Sequence, residues 1–208
     1  GQCDSDITID SSVAALVPFN QTREQELFLG PSYAITRTRV PRRPLKDRVL
    51  VTLGGGLSAG LGPQIQERLR PLGLKVLMTR GFDSTSPTTD VEIENAMATC
   101  RFAISTAGTS LYDLLASSVP TIALAIGPAQ LRIANAFHER RAALSAGLVH
   151  RLTTDALIAR ARQIMDNTSE TERMVTIGRN LVDGEGLARV TGIIRQAVAT
   201  KREEVLVI

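Results

Sequence analysis

Six small residues in a row, Ser105-Thr106-Ala107-Gly108-Thr109-Ser110, stand between an apolar run and a helical pattern that carries Tyr112 and Asp113 in its first turns. A turn of this kind lets backbone N–H groups at a helix start face a ligand with no side chain in the way, and the helix dipole there favours an anion. The chemistry it suits is the holding of a diphosphate, with Gly108, Thr109 and Ser110 supplying donors. Asp113 has two readings. Ser110-x-x-Asp113 has capping-box spacing, which would turn the carboxylate back onto its own helix, and spacing alone favours that cap. In a binding role the carboxylate would instead accept hydrogen bonds from ribose hydroxyls.

Two further loops carry comparable residues. Leu53 to Gly62, LGGGLSAGLG, follows an apolar run and precedes a helical one, and Gly54-x-Gly56-x-x-Ala59 satisfies a dinucleotide fingerprint. Gly54 and Gly55 would wall a pyrophosphate. Close helix–strand packing explains the same glycines. The next apolar run ends in Thr79 and Arg80 where an acidic ribose ligand for NAD would be expected; Arg80 suits a 2′-phosphate, which leaves NADP open. The loop Gly127-Pro128-Ala129-Gln130 precedes another helix, and Gln130 could reach a phosphate or a sugar hydroxyl. His138, among Glu139, Arg140 and Arg141, reads as solvated, and His150 as a core or edge residue. Neither has the neighbouring acid or nucleophile of a catalytic pair.

The elements that must position these loops are legible as alternation. Short apolar runs (VLVTL, KVLMT, FAIST, TIALAI, LVHRL) are separated by amphipathic helical stretches, among them VEIENAMATC, AQLRIANAFHERRAAL and TTDALIARARQIMDN, the last with Thr153 or Thr154 as N-cap. This pattern predicts a doubly wound α/β domain over residues 48–208, a parallel sheet of about five strands with ligands at its carboxyl edge. Residues 1–47 read as the remnant of a preceding domain, with a short strand at Asp6 to Asp10, followed by a linker. Arg37, Arg39, Arg42, Arg43, Lys46 and Arg48 make that linker a solvated basic connector, or else a basic rim attracting phosphorylated substrates.

Composition narrows the function classes. The 208 residues are 43% hydrophobic and 22% charged with net charge +3, an ordinary globular balance. With 3% aromatic residues and no Trp, stacking platforms for nucleic acid are scarce. Cys3 and Cys100 have neither disulfide-framework nor metal-ligand spacing, which fits a cytoplasmic protein. No apolar run reaches membrane-spanning length. The start at Gly1 suggests a fragment or trimmed chain.

Four segments carry a resemblance. Gly30-Pro31-Ser32-Tyr33-Ala34-Ile35-Thr36-Arg37, Val51-Thr52-Leu53-Gly54-Gly55, Ser105 to Asp113, and Asp183-Gly184-Glu185-Gly186-Leu187-Ala188-Arg189 resemble, in order, motifs of the UDP-sugar hydrolases of pseudaminic acid biosynthesis and their spore-coat polysaccharide relatives. These are similar to the glycosyltransferase-B enzyme of lipid II synthesis. The resemblance implies the C-terminal, UDP-binding half of a two-domain enzyme, hydrolase or transferase, in glycan biosynthesis. It implies no cofactor, and no carboxylate cluster calls for a metal. Its site residues map onto Gly54, Gly55, Gly108, Thr109, Ser110, Asp113 and Gln130. Asp113 stands where the family has a ribose-binding Glu, Ala107 replaces a Gly, Gly56-Leu57 replaces Ser-Asp, and Ala129 an Asn. The family's catalytic His lies in an N-terminal domain, so this chain would bind UDP or a UDP-sugar and need an N-terminal domain or partner subunit to turn it over. Two rivals are an NADP-binding oxidoreductase domain and a non-catalytic partner-docking module, in which the apolar C-terminal VLVI could dock.

Overall fold

The computed structural model describes residues 7–15, 26–37, 39–54, 60–79 and 88–206, with side chains through residue 199. Five parallel strands form the central sheet: β3 (Arg48–Thr52), β4 (Lys75–Met78), β5 (Phe102–Thr106), β6 (Thr121–Ala125) and β7 (Leu144–Leu148), in the spatial order β4-β3-β5-β6-β7. Two earlier strands, β1 (Ile7–Asp10) and β2 (Glu26–Leu29), pair with each other in parallel, Ile7 opposite Glu26.

All five residues of β5 and all five of β6 are buried, which is why these strands read as unbroken apolar runs. Alternate residues serve opposite faces. On one face Val49, Val51, Phe102, Ile104, Ile122 and Leu124 pack against α1 (Leu61–Leu69) and α5 (Thr154–Asp166). On the other, Leu50 and Ala103 meet α2 (Asp90–Thr99) and α3 (Thr109–Ala116), while Ala123 meets α3, α4 (Pro128–Glu139) and α6 (Thr168–Leu181). A last helix, α7, spans Gly186–Leu206. Each fully buried Phe, Leu or Ile contributes about 1.5–3 kcal/mol, so the sheet's two-sided burial holds its carboxyl edge in place.

Helix starts follow the expected chemistry. Thr89 and Glu92 form a reciprocal capping box on α2, Thr153 caps α5 by accepting the Ala156 N–H, and Asn167 caps α6 through the Glu170 N–H. Helix ends depart from the sequence reading. Instead of running to Leu144, α4 stops at Glu139, and the strand expected at LVHRL lies four residues earlier as β7, with Val149–Arg151 forming a 3-10 turn. The stop is a Schellman motif: Arg141 turns left-handed at φ 58°, and the Ala142 and Arg141 N–H groups bond to Phe137 and His138 carbonyls at 2.9 and 2.8 Å. Ser118, also at φ 58°, closes α3 in the same way. Neither position carries the glycine that usually announces this motif.

The connector is docked through its backbone and Arg42, while Arg43, Pro44, Leu45, Lys46 and Asp47 stay exposed as a solvated basic stretch would. The Arg43 and Leu45 N–H groups donate to Ala98 and Thr99 carbonyls at 2.7 and 2.8 Å, and the Arg42 guanidinium donates to the Met97 and Cys100 carbonyls at the end of α2. Cations there complement the negative end of the helix dipole. Further on, Arg189 of α7 donates to the Ser32 carbonyl at 2.7 Å and holds Asp183 in a two-pronged pair.

Candidate functional site

In the order β4-β3-β5-β6-β7 the chain leaves β3 toward one sheet edge and returns, through α2, to the other side of β3. The crevice between the carboxyl ends of β3 and β5 is therefore the topological switch point, where ligands bind in open α/β sheets. The loops that emerge there begin at Leu53-Gly54 and Ala107-Gly108. Thr52 is paired with Ser105, so the two turns leave the sheet side by side. Gly54 has φ +72°, a conformation that favours glycine, and a Cβ on it would lie 3.7 Å from Thr106 Oγ1. Gly55, and the fingerprint positions Gly56, Ala59 and Arg80, lie outside the described residues.

Gly108 is the N-cap residue of α3 and supplies no side chain to cap it. The Leu111 N–H reaches back to the Gly108 carbonyl at 3.1 Å, whereas the amides of Thr109 and Ser110 belong to the first turn, which has no intrahelical acceptors. Gln130, in the first turn of α4, accepts the Ile126 N–H on Oε1 at 3.2 Å, which leaves its Nε2 3.8 Å from where a Gly108 Cβ would be. The helices run back antiparallel to the strands, so the N-termini of α1, α2, α3 and α4 gather at this one edge. The dipole at each such helix start favours an anion. Gly54, Gly108, Thr109, Ser110 and Gln130 are thus brought together, but the Gly108 N–H, expected as a diphosphate donor, is taken by the Thr106 carbonyl at 2.8 Å, which leaves the Thr109 and Ser110 amides.

Asp113 corrects the capping-box expectation. It makes no cap on its helix; its Oδ1 accepts the main-chain N–H of Arg37 at 2.9 Å, and its Oδ2 lies 3.5 Å from Arg37 Nε. The Arg37 guanidinium also pairs with Asp90 in the first turn of α2. Burial pushes the Asp113 carboxyl above its ordinary value, and Arg37, through its N–H, charge and side chain, pulls it back down in part. Next to it, Tyr112 is buried and its hydroxyl oxygen accepts the Val13 N–H at 3.1 Å, tying the segment after β1 to α3. The sequence places Arg37 in a basic cluster and at the end of the Gly30 to Arg37 motif, without a role of its own. The Gly30 to Arg37 motif contained the signal, but its partner Asp113 lies 76 positions away.

A cleft of about 700 Å³ lies elsewhere, between α4, α5 and α6 near the start of β7. His138 lines it, half-buried rather than solvated, with Nδ1 3.4 Å from the Ala143 carbonyl oxygen. It contains none of the residues singled out for binding. His150 is exposed. Among the described residues no three His, Cys, Asp or Glu side chains gather as metal ligands, and no helix is long and apolar enough to cross a membrane.

Comparison with solved structures identifies the architecture. MurG from Acinetobacter baumannii superimposes with a TM-score of 0.63 at 14% identity, over 92% of this chain and 60% of that one. The chain has a glycosyltransferase-B-like fold. The glycosyltransferase SsfS6 from Streptomyces sp. SF2575, solved with thymidine diphosphate, matches at TM-score 0.51 and 18% identity, over 80% of this chain and 44% of that one. In sequence, the chain is 34% identical over 93 residues to the spore coat polysaccharide biosynthesis protein SpsG of Bacillus subtilis, which covers 45% of this chain and 27% of SpsG. The chain therefore spans about a quarter to three-fifths of the length of these relatives. No family model matches the sequence.

Proposed function

We propose that this chain is the nucleotide-holding half of a glycosyltransferase-B-like enzyme in glycan biosynthesis, one that breaks the bond between UDP and a sugar. The observation that carries the reading is the emergence of the Gly54 and Gly108 turns side by side at the switch point, with Gly108 at the start of α3. The name of SpsG supports a role in polysaccharide biosynthesis, and the thymidine diphosphate in SsfS6 supports a nucleoside diphosphate ligand. The Thr109 and Ser110 amides and the Gln130 side-chain amide would meet the diphosphate, and the charge that grows on it as the sugar departs is what such donors stabilise best. Asp113 would accept from the ribose hydroxyls, and the loop at Gly54 and Gly55 would wall the diphosphate. Residues 48–208 form the binding domain, while residues 1–47 lead in from the half that activates water or an acceptor hydroxyl.

The test is thermal unfolding with UDP, thymidine diphosphate and NADP. At a hundred times its Kd, a nucleotide adds about 2.7 kcal/mol, which for a chain of this size raises Tm by roughly 5–10 °C. UDP is expected to produce that shift and NADP none, and the 208-residue chain is expected to release no UDP from UDP-sugars. Melting indifferent to UDP, or raised by NADP instead, would sink the reading.

A further inference from the structure

Asp113, the residue given the ribose in the reading above, is held by the connector rather than by its own domain. Both oxygens of Asp113 face Arg37: Oδ1 accepts its main-chain N–H at 2.9 Å and Oδ2 lies 3.5 Å from Nε. The Asp113 side chain is 14% exposed, so it keeps an open side. Arg37 is itself shared, since its guanidinium also pairs with Asp90, whose side chain is 75% exposed, and Glu94 adds to the negative field around it. An ionised carboxylate is acceptor-only and can receive both hydroxyls of a diol, whereas a protonated carboxyl turns one oxygen into a donor.

We propose that Arg37 is a positioning residue for the ribose of the bound nucleotide: by fixing the Asp113 carboxylate from the connector, it completes the sugar-binding end of the cleft only when the connector is docked. This inference rests on the UDP reading above and adds to it a dependence of nucleotide recognition on the connector. The charged groups facing Asp113 and Arg37 are Asp90 and Glu94 of α2; burial and Arg37 oppose each other at the carboxyl itself. Removing the guanidinium leaves burial unopposed, and Asp113 takes up its proton at a higher pH. Removing the Asp90 charge leaves the guanidinium to Asp113 alone, and the proton goes on at a lower pH.

The readout is the preference for UDP over 2′-deoxy-UDP, measured by calorimetry from pH 5 to 8, because the ratio cancels titration of the terminal phosphate. Wild type is expected to prefer UDP about tenfold, the worth of one hydrogen bond to a charged acceptor. Arg37→Met is expected to lose most of that preference, and to lose the remainder at a higher pH than wild type. Asp90→Asn, an exposed change that leaves Asp113 and the connector backbone in place, is expected to shift the loss to lower pH. A profile that moves the same way in both variants, or in neither, overturns the inference while leaving UDP binding intact. Should Arg37→Met not fold, a profile in Asp90→Asn that stays put or moves up overturns it. Wild type that binds no UDP at all overturns the functional reading and this inference with it.

Discussion

Two aspartate–arginine pairs stand where the connector meets the α/β domain, one holding Arg189 against the Ser32 carbonyl and the other made by Arg37 of the connector itself, and they are tuned in opposite directions. Asp183 and Arg189 meet in a two-pronged pair with side chains 30% and 36% exposed, and Arg189 draws the Asp183 carboxyl down to about 2. Asp113 and Arg37 meet where the carboxylate is 14% exposed, and burial outweighs the arginine, so the Asp113 carboxyl is pushed up. The same two side-chain types thus make a fastening at one end and a strained acceptor at the other. The difference teaches where binding capacity resides: a carboxylate whose charge is well satisfied has little left to offer a ligand, while one held charged against burial gains from any further donor.

The largest effect that would separate these ties is expected at the fastening. A Cβ on Gly186 would lie 2.0 Å from the Ala34 carbonyl oxygen, a backbone atom of the connector. Gly186→Ala should therefore cost about 3 kcal/mol in denaturant unfolding, yet leave the UDP affinity of the remaining folded protein within twofold. Lost affinity in a folded variant would make the two ties one unit. Next, Asp113→Ala should weaken UDP binding by about 1.5–3 kcal/mol, or ten- to a hundredfold in Kd by calorimetry, and unchanged affinity in the folded variant would remove the ribose role.

The smallest effect is a matter of sign. A folded-state pKa below the unfolded value stabilises above the unfolded value and loses that contribution as pH falls through the folded one. Screened as a partly exposed pair, Asp183 is worth about 1 kcal/mol at neutral pH. In acid titrations of stability, the gap between wild type and Asp183→Asn should close between roughly pH 4 and 2. Asp113, with its pKa raised, has the opposite linkage: its contribution is present in acid and is lost as pH rises through the folded value. Wild type should therefore gain on Asp113→Asn as pH falls. Parallel curves for the two variants would erase the contrast.

What could be read from sequence, and what could not, follows from the range of the forces involved. The strands of the sheet announce themselves because burial on both faces demands unbroken apolar residues, as in Phe102–Thr106 and Thr121–Ala125. The strand-to-helix turn at Gly108 is legible because a run of small residues parts an apolar strand from a helical pattern, and Gly108 is the N-cap of α3. The end of α4 was not: Arg141 adopts a left-handed conformation that its side chain disfavours, and only the packing of Ala142, Ala143 and Leu144 into the core shows why. Ser110 and Asp113 had the spacing of a capping box, while the box itself formed at Thr89 and Glu92. Spacing states which bonds are possible; Arg37, arriving from far along the chain, decided which one formed. The docking of the connector is hidden from the sequence for a related reason, since the acceptors of Arg42 are main-chain carbonyls, which no residue pattern displays.

The seat of Arg42 has one more consequence. Its guanidinium lies over Cys100, with Nη1 3.6 Å from Sγ, and the thiol is fully buried and pushed above its ordinary pKa by that burial. A thiol so shielded is inert until the segment covering it lifts. With Cys3 replaced, the rate at which a thiol reagent reaches Cys100 becomes a clock for the connector, counting how often the strap that carries Arg37 comes away.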